Sequence, residues 1–332
     1  MFHAPLISTT PGLRLAAVVT SDAARASRAS GRYGAEVLAR AENLWGRGDL
    51  GLVVIAAPNV AHVPLARAAV QAGVPVVVDK PLALTSGAAR DLLAEAAQAG
   101  VLLSVFQNRR WDGDLLTVRR LLQTGRLSEV TRFESRFERW RPAPKPGWRE
   151  SGGEADGGGL LLDLGSHLVD QAVLLFGPVS AVYAELDRRR PGVAVEDDVA
   201  LSLAHRSGVR SQLWMSAVAA ISGPRFRVLG RTGAYVKYGW DGQEAALKAG
   251  GTPADPQWGV EPAATWGRFG TDAESEAVPT ERGDYPAFYA GVVAALRDGA
   301  PPPVDPADAV AVLEVLDAAR RSAAGDGVVT LG

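Results

Sequence analysis

Short runs of consecutive apolar residues alternate with amphipathic stretches through residues 13–125. That rhythm predicts strands buried on both faces, with helices between them. Leu15-Ala16-Ala17-Val18-Val19, Leu52-Val53-Val54-Ile55-Ala56, Val74-Pro75-Val76-Val77-Val78 and Val101-Leu102-Leu103-Ser104-Val105 are the expected strands. Helices are expected near 23–30, 60–72, 85–99 and 111–123, with Thr85 as an N-cap and Gly73, Gly100 and Gly125 as stops. Strands alternating with helices of this length define an α/β fold with a Rossmann-like parallel sheet. Ligands of such sheets bind beyond the carboxyl ends of the strands, where Pro58, Asn59, Asp79 and Lys80 lie.

After Gly125 the period changes to two. Val130-Thr131-Arg132-Phe133-Glu134-Ser135-Arg136-Phe137 alternates as a half-exposed strand does, and similar strands are expected around 179–186, 197–205, 209–218, 226–230 and 234–238. The expectation is an α+β unit with a large, open, mostly antiparallel sheet. Residues 241–282 carry Gly, Pro, Thr and Trp without periodicity and read as a long ordered excursion. A last helix opens at Asp305-Pro306 and runs to about 324, and Val328-Val329-Thr330-Leu331 closes the chain as a strand. The division expected is 1–125 and 126–332.

Composition narrows the function. The 332 residues carry a net charge of −2, which gives no global field for nucleic acid or an anionic membrane. There is no cysteine, so disulfides, thiolate metal sites and a cysteine nucleophile are excluded. The four histidines show no metal-ligand spacing, and no metal site is expected. No apolar run reaches the ~20 residues of a membrane helix, and the N-terminus has no signal-peptide pattern. A cytoplasmic protein acting on a small molecule fits these features.

One run carries chemistry. Gly157-Gly158-Gly159-Leu160-Leu161-Leu162-Asp163-Leu164-Gly165-Ser166-His167 sets a carboxylate and an imidazole four residues apart in a helical pattern. On a helix those two positions share a face, and histidine titrates near neutral pH, so the pair suits proton transfer. A capping or core role is the plainer alternative for such a spacing. A second element adds weight: Val76-Val77-Val78-Asp79-Lys80-Pro81, a buried-type strand ending in a lysine whose turn Pro81 stiffens.

Together with Pro58-Asn59-Val60-Ala61-His62, these motifs resemble the glucose–fructose oxidoreductase/inositol dehydrogenase (Gfo/Idh/MocA) family, in order and over almost the whole chain. Phe2-His3-Ala4-Pro5-Leu6 and Gln107-Asn108-Arg109-Arg110-Trp111-Asp112 resemble the branch with NADP-dependent scyllo-inositol dehydrogenases. The resemblance implies hydride transfer between NAD or NADP and a secondary hydroxyl or carbonyl of a sugar or cyclitol. It implies His167 as the proton-transfer residue, Asp163 as its partner, and Lys80 as the group bonded to the reacting oxygen and the nicotinamide ribose. Asp79 stands where the family usually has glutamate. The resemblance also implies a homodimer or homotetramer formed through the open sheet. A dinucleotide- or sugar-sensing regulator of the same fold is the alternative.

The dinucleotide site is read from strand ends. Gly46-Arg47-Gly48-Asp49-Leu50-Gly51 has the phosphate-loop pattern, but it precedes a strand instead of opening a helix, and reads as a turn. The family's glycine loop would lie just before Phe2-His3-Ala4-Pro5. The first strand and loop are therefore expected to be absent, through a start site placed downstream or through true truncation. At the second strand's end Thr20 and Ser21 replace the acidic residue of NAD sites, and Arg25 and Arg28 follow, which favours NADP over NAD. Pro58, Asn59, His62, Asp79 and Lys80 complete the expected cofactor set. His62 equally fits a helix-start residue satisfied by backbone. Asn108, Arg109, Trp148 and Arg149 are the expected substrate contacts, since arginine and tryptophan bind sugar hydroxyls and stack on ring faces.

Overall fold

A computed structural model describes residues 1–144, 147, 150 and 153–332. The first part contains five short parallel strands: β1 (Ala17–Val19), β2 (Glu36–Leu38), β3 (Val53–Ile55), β4 (Val76–Asp79) and β5 (Leu103–Phe106). They form two sheets, β1–β2 and β3–β4–β5, and among the described residues no strand hydrogen-bonds the two together. Val76, Val77 and Val78 are fully buried, which is why this sequence runs apolar without alternation.

Helices α1 (His3–Thr9), α2 (Ala23–Tyr33), α3 (His62–Gln71), α4 (Ser86–Ala99) and α5 (Gly113–Gln123) flank these strands. The caps fall where the residue types require them. The Asp22 side chain accepts from the Arg25 backbone N–H and opens α2, while Thr85 accepts from Ala88 and opens α4. Gly34 and Gly100 close the same two helices in left-handed conformation. Residues 46–51 are a turn, pinned by Arg47 to Glu36 and Asp49.

A nine-stranded sheet follows: β6 (Val130–Glu138), β7 (Val179–Asp187), β8 (Asp198–His205), β9 (Arg210–Ser216), β10 (Phe226–Gly230), β11 (Ala234–Lys237), β12 (Gly267–Gly270), β13 (Ser275–Val278) and β14 (Val329–Thr330). Their spatial order is β13-β12-β11-β10-β6-β9-β8-β7-β14. Every pairing is antiparallel except β6–β9, which is parallel. The sheet is thus mixed, and the first strand in sequence lies at its middle.

Alternation sorts the faces. Phe133, Ser135 and Phe137 of β6, Leu201 and Leu203 of β8, and Leu213 and Met215 of β9 point to the buried side. That side is covered by α6 (Ser166–Phe176) and α9 (Pro306–Arg321).

Two parts of the chain were not legible as elements. The aperiodic stretch 241–282 holds α7 (Gln243–Lys248) and the β12–β13 hairpin that widens the sheet. Residues 286–298 form α8 (Pro286–Asp298), which packs on α1. The last helix also crosses back: α9 lies against α4, with Arg90 paired to Glu314 at 2.6 Å and the Ser86 N–H donating to Asp317. The chain therefore meets itself at both ends of its sequence.

Candidate active site

The glycine run before α6 is shaped by two neighbours. Gly157 (φ +74°) and Gly159 (φ +94°) sit in left-handed conformation. A Cβ on Gly157 would fall 2.5 Å from Leu84, and one on Gly159 would fall 2.1 Å from the Glu196 carboxylate. Only glycine lets the loop press this closely. Glu196 accepts from the Leu161 N–H through its carboxylate (3.0 Å) and from Leu160 through its backbone oxygen (3.1 Å), satisfying donors at the helix start.

The segment Leu161–Gly165 is wound as a π-helical turn, and the α-helix proper begins at Ser166. The helical pattern expected from the sequence thus opens as a π-helical turn. A widened turn of this kind re-aims side chains and occurs often at functional sites. Asp163 turns to Lys80, while His167 turns to Gln107.

Lys80 Nζ donates to the Asp163 backbone oxygen at 2.5 Å and to its carboxylate at 3.1 Å. The Lys80–Pro81 peptide bond is cis. His167, 5% exposed, has Nδ1 3.1 Å from Gln107 Oε1, and its ring meets Phe137 edge-on at 6.5 Å between centroids. Burial holds the imidazole well below the usual histidine range, and the charges of Lys80, Arg109 and Arg225 push it the same way. The ring is therefore neutral at pH 7, a state able to accept a proton.

Arg225 explains part of that field. It is fully buried, its guanidinium lying 4.1 Å from the Phe137 ring centroid and 4.0 Å from that of Phe226. It donates to Ser135 Oγ (2.5 Å) and Gln171 Oε1 (2.7 Å) and faces Asp114 at 3.4 Å. Arg109 also lies over Phe137, at 4.7 Å, and is held by Asp112 (3.3 Å) and Glu244 (2.5 Å).

Of the expected cofactor residues, Thr20 and Ser21 follow β1, Pro58 and Asn59 follow β3, and Asp79 with Lys80 ends β4. Thr20 Oγ1 accepts from the Asp22 N–H at 3.2 Å, and Arg25 is exposed with Asp22 3.7 Å away. Asn59 is buried and donates to the Gly157 backbone oxygen at 2.9 Å, binding the glycine run to the end of β3. Asp79 accepts from the Lys80 N–H and faces His3 at 3.7 Å. His62 is turned inward, its ring nitrogens 2.7 Å from the Pro81 oxygen and 2.9 Å from the Ala57 oxygen. Its backbone-satisfied alternative is the one the geometry matches.

Of the expected substrate residues, Asn108 and Arg109 are buried in a 3-10 turn after β5, and Arg109 is committed to its ion pairs. Trp148 and Arg149 lie outside the described residues. Beyond these, Trp240 meets Phe137, whose ring meets His167, and beside Trp240 lies Arg139, from the run Arg139-Trp140-Arg141 whose residue types also suit sugar hydroxyls. Trp240, 40% exposed, stands 5.4 Å from Phe137, and the Arg139 guanidinium lies 5.9 Å from the Trp240 ring. Arg139 Nε is buried without a hydrogen-bond partner among the described residues, and the Asp163 carboxylate acts on its charge. Trp240 lies in no motif, and its proximity to Arg139 arises from two separate strand ends, those of β6 and β11.

A parallel α/β part joined to an open sheet, with lysine, carboxylate and histidine between them, defines an oxidoreductase architecture of the nicotinamide-dependent kind. Comparison with known proteins gives the particular family. The oxidoreductase family profile with an NAD-binding Rossmann fold matches residues 1–107, and the GFO/IDH/MocA C-terminal domain matches 115–236. Uncharacterized oxidoreductase YdgJ of Escherichia coli (strain K12) is 40% identical over 97% of this chain and 92% of its own. The scyllo-inositol 2-dehydrogenase (NADP(+)) IolW of Bacillus subtilis (strain 168) is 33% identical over 97% of this chain and 90% of its own. The solved structure of YvaA from Bacillus subtilis superposes with a TM-score of 0.94 at 32% identity, covering all of this chain and 94% of that one. The chain belongs to the Gfo/Idh/MocA family and is an NAD(P)-dependent dehydrogenase.

Proposed function

We propose that the enzyme interconverts a secondary hydroxyl of a sugar or cyclitol with its ketone, using NADP in preference to NAD. The observation that carries this reading is the placement of Lys80, bonded to Asp163, beside a buried neutral His167. In oxidation His167 takes the hydroxyl proton while Lys80 holds the same oxygen. Asp163 fixes the ammonium. A bound nicotinamide dinucleotide supplies the hydride acceptor.

The chain's own residues fit such a cofactor. The carboxyl ends of β1, β3 and β4 present Thr20, Ser21, Asn59, Asp79 and Lys80. The α-amino group of Met1 lies within the fields of Arg25, Arg28 and Asp79 together, so these groups border one region. His3 Nε2 is at this edge, 3.7 Å from the Asp79 carboxylate. Arginines beside Thr20, in place of a carboxylate, suit a 2′-phosphate. The relative IolW, named as NADP-dependent, supports the same choice.

Trp240 and Arg139 form the proposed substrate wall, a ring-stacking surface with a spare donor beside it, and Asn108, in the turn after β5, is proposed to add a polar contact. The open sheet face, with Tyr183, Trp214 and Arg136 outward, is the proposed surface for a second copy.

The test is NADPH oxidation with inososes and ketoses, alongside fluorescence titration of NADPH. Turnover that falls by about 10²-fold or more in His167→Ala, at unchanged NADPH affinity, is the expected result. Tight NADPH binding without turnover of any such substrate would establish the sensor alternative.

A further inference from the structure

We propose that Gln107 fixes the tautomer of His167, holding the proton on Nδ1 and leaving Nε2 as the basic nitrogen. Gln107 is thereby a positioning residue for proton transfer; the inference rests on the assignment of His167 as the proton carrier.

The geometry leaves one arrangement. Gln107 is 2% exposed at the end of β5, with its backbone held by Val105 and Arg110. Its side-chain Nε2 lies 3.4 Å from the Ser166 backbone oxygen, and its Oε1 lies 3.1 Å from His167 Nδ1. A backbone oxygen only accepts, so the amide NH₂ must face Ser166. The amide oxygen, which also only accepts, then faces the ring, so Nδ1 must carry the hydrogen. A neutral imidazole has one such hydrogen, and Nε2 is left with a lone pair. Among the described residues nothing hydrogen-bonds Nε2.

Every charged group facing the ring disfavours a second proton. Lys80 approaches from the end of β4, Arg109 from the turn after β5, and Arg225 from the start of β10. The Asp163 carboxylate, one turn before the histidine, is bonded to Lys80. Phe137 closes the remaining side with an uncharged edge. Gln107 is thus the neutral group that selects between the two tautomers. It does so from the opposite part of the chain, so proton transfer depends on the parallel sheet and α6 staying in register.

Two measurements test this. Protein labelled with ¹⁵N-histidine, compared with His167→Ala to assign the signal, reads the tautomer directly and needs no turnover. The Nδ1–H form in the wild type is expected, with Nε2–H signals appearing in Gln107→Leu. A wild-type ring in the Nε2–H form overturns the inference, whatever the enzyme's substrate. In kinetics, Gln107→Leu is expected to lower kcat by about 10-fold, the scale of one buried hydrogen bond, with KM little changed. Gln107→Glu keeps the acceptor and adds a charge, so the acid limb of kcat/KM should move up by about one pH unit. An unmoved acid limb in Gln107→Glu overturns the inference. Wild-type turnover in His167→Ala overturns the functional reading instead. Should Gln107→Leu not fold, the wild-type spectrum and the glutamate variant decide the matter.

Discussion

Lys80 Nζ bonds Asp163 twice, to its backbone oxygen at 2.5 Å and to its carboxylate at 3.1 Å. A single ammonium thus ties the end of a parallel strand to the π-helical turn that precedes α6. With side chains 14% and 30% exposed, the pair sits at the boundary of the buried region, where solvent reaches one edge.

Lys80→Met should therefore lower kcat/KM by about 10²-fold or more, since in the proposed mechanism the reacting oxygen loses the ammonium that holds it. The fold should survive, because the methionine retains most of the aliphatic contact. Turnover assays with a cyclitol, paired with thermal melts, separate the two effects. Near-wild-type kcat/KM would remove Lys80 from the mechanism.

Gly159→Ala should destabilise by roughly 2–3 kcal/mol, combining a left-handed alanine with loss of the Glu196 contact at the helix start. The new Cβ would meet the Glu196 carboxylate at 2.1 Å. Denaturant unfolding gives the number. Activity should fall further than stability alone accounts for, because the same loop sets the aim of Asp163. A variant with wild-type stability would show that the loop has room to relax.

Stability should fall as pH drops below neutrality. His167 is held well below the ordinary histidine value, and His205 is also lowered, chiefly by burial. Unfolded, both take up a proton near pH 6.5; folded, they resist it. The unfolded state binds more protons there, so His167 removes up to about 1.4 kcal/mol per pH unit between its ordinary and its folded value, and His205 acts in the same direction over a narrower window. Above about pH 7.5 the effect vanishes. Melting temperatures of wild type and His167→Gln between about pH 7.5 and 5.5 should diverge, the variant showing the shallower slope. Parallel curves would count against a neutral buried His167.

Cofactor preference should turn on the end of β1. Thr20→Asp places a carboxylate near Arg25 and against any 2′-phosphate, adding repulsion to NADP and a partner for the ribose of NAD. A shift of the kcat/KM ratio towards NAD by roughly 10-fold, about 1.4 kcal/mol, is expected. A wild-type enzyme that already prefers NAD would refute the NADP assignment.

The alternation of apolar strand and helix made the five parallel strands legible, except for β2, whose Glu36-Val37-Leu38 is short and mostly exposed. Period two marked β6 to β11 for the same reason: one face is buried and the other is open. The hairpin β12–β13 escaped because Gly267, Arg268 and Gly270 leave Phe269 as the only large apolar side chain of β12, and β13 adds Val278 alone. Lys80, Asp163 and His167 were visible as motifs. Gln107 was visible only as a neighbour of Asn108 and Arg109, since its bearing on the histidine depends on how two distant elements dock. Arg225 and Trp240 gave no local signal at all. A buried arginine stacked between two phenylalanines reads, in one dimension, like any surface arginine before a strand.

The parallel pairing of β6 with β9 also bears on how the chain assembles. β6 is made first, yet its neighbours are β9 and β10, and two antiparallel strands with the whole of α6 intervene before either exists. The sheet cannot grow hairpin by hairpin from its first strand. Synthesis must run past Gly230 before that strand has partners on both edges. Distant pairings of this kind are slow to close and expose sticky edges meanwhile. A ribosome-bound intermediate ending near residue 200 would present a helper protein with an apolar strand and no sheet to receive it.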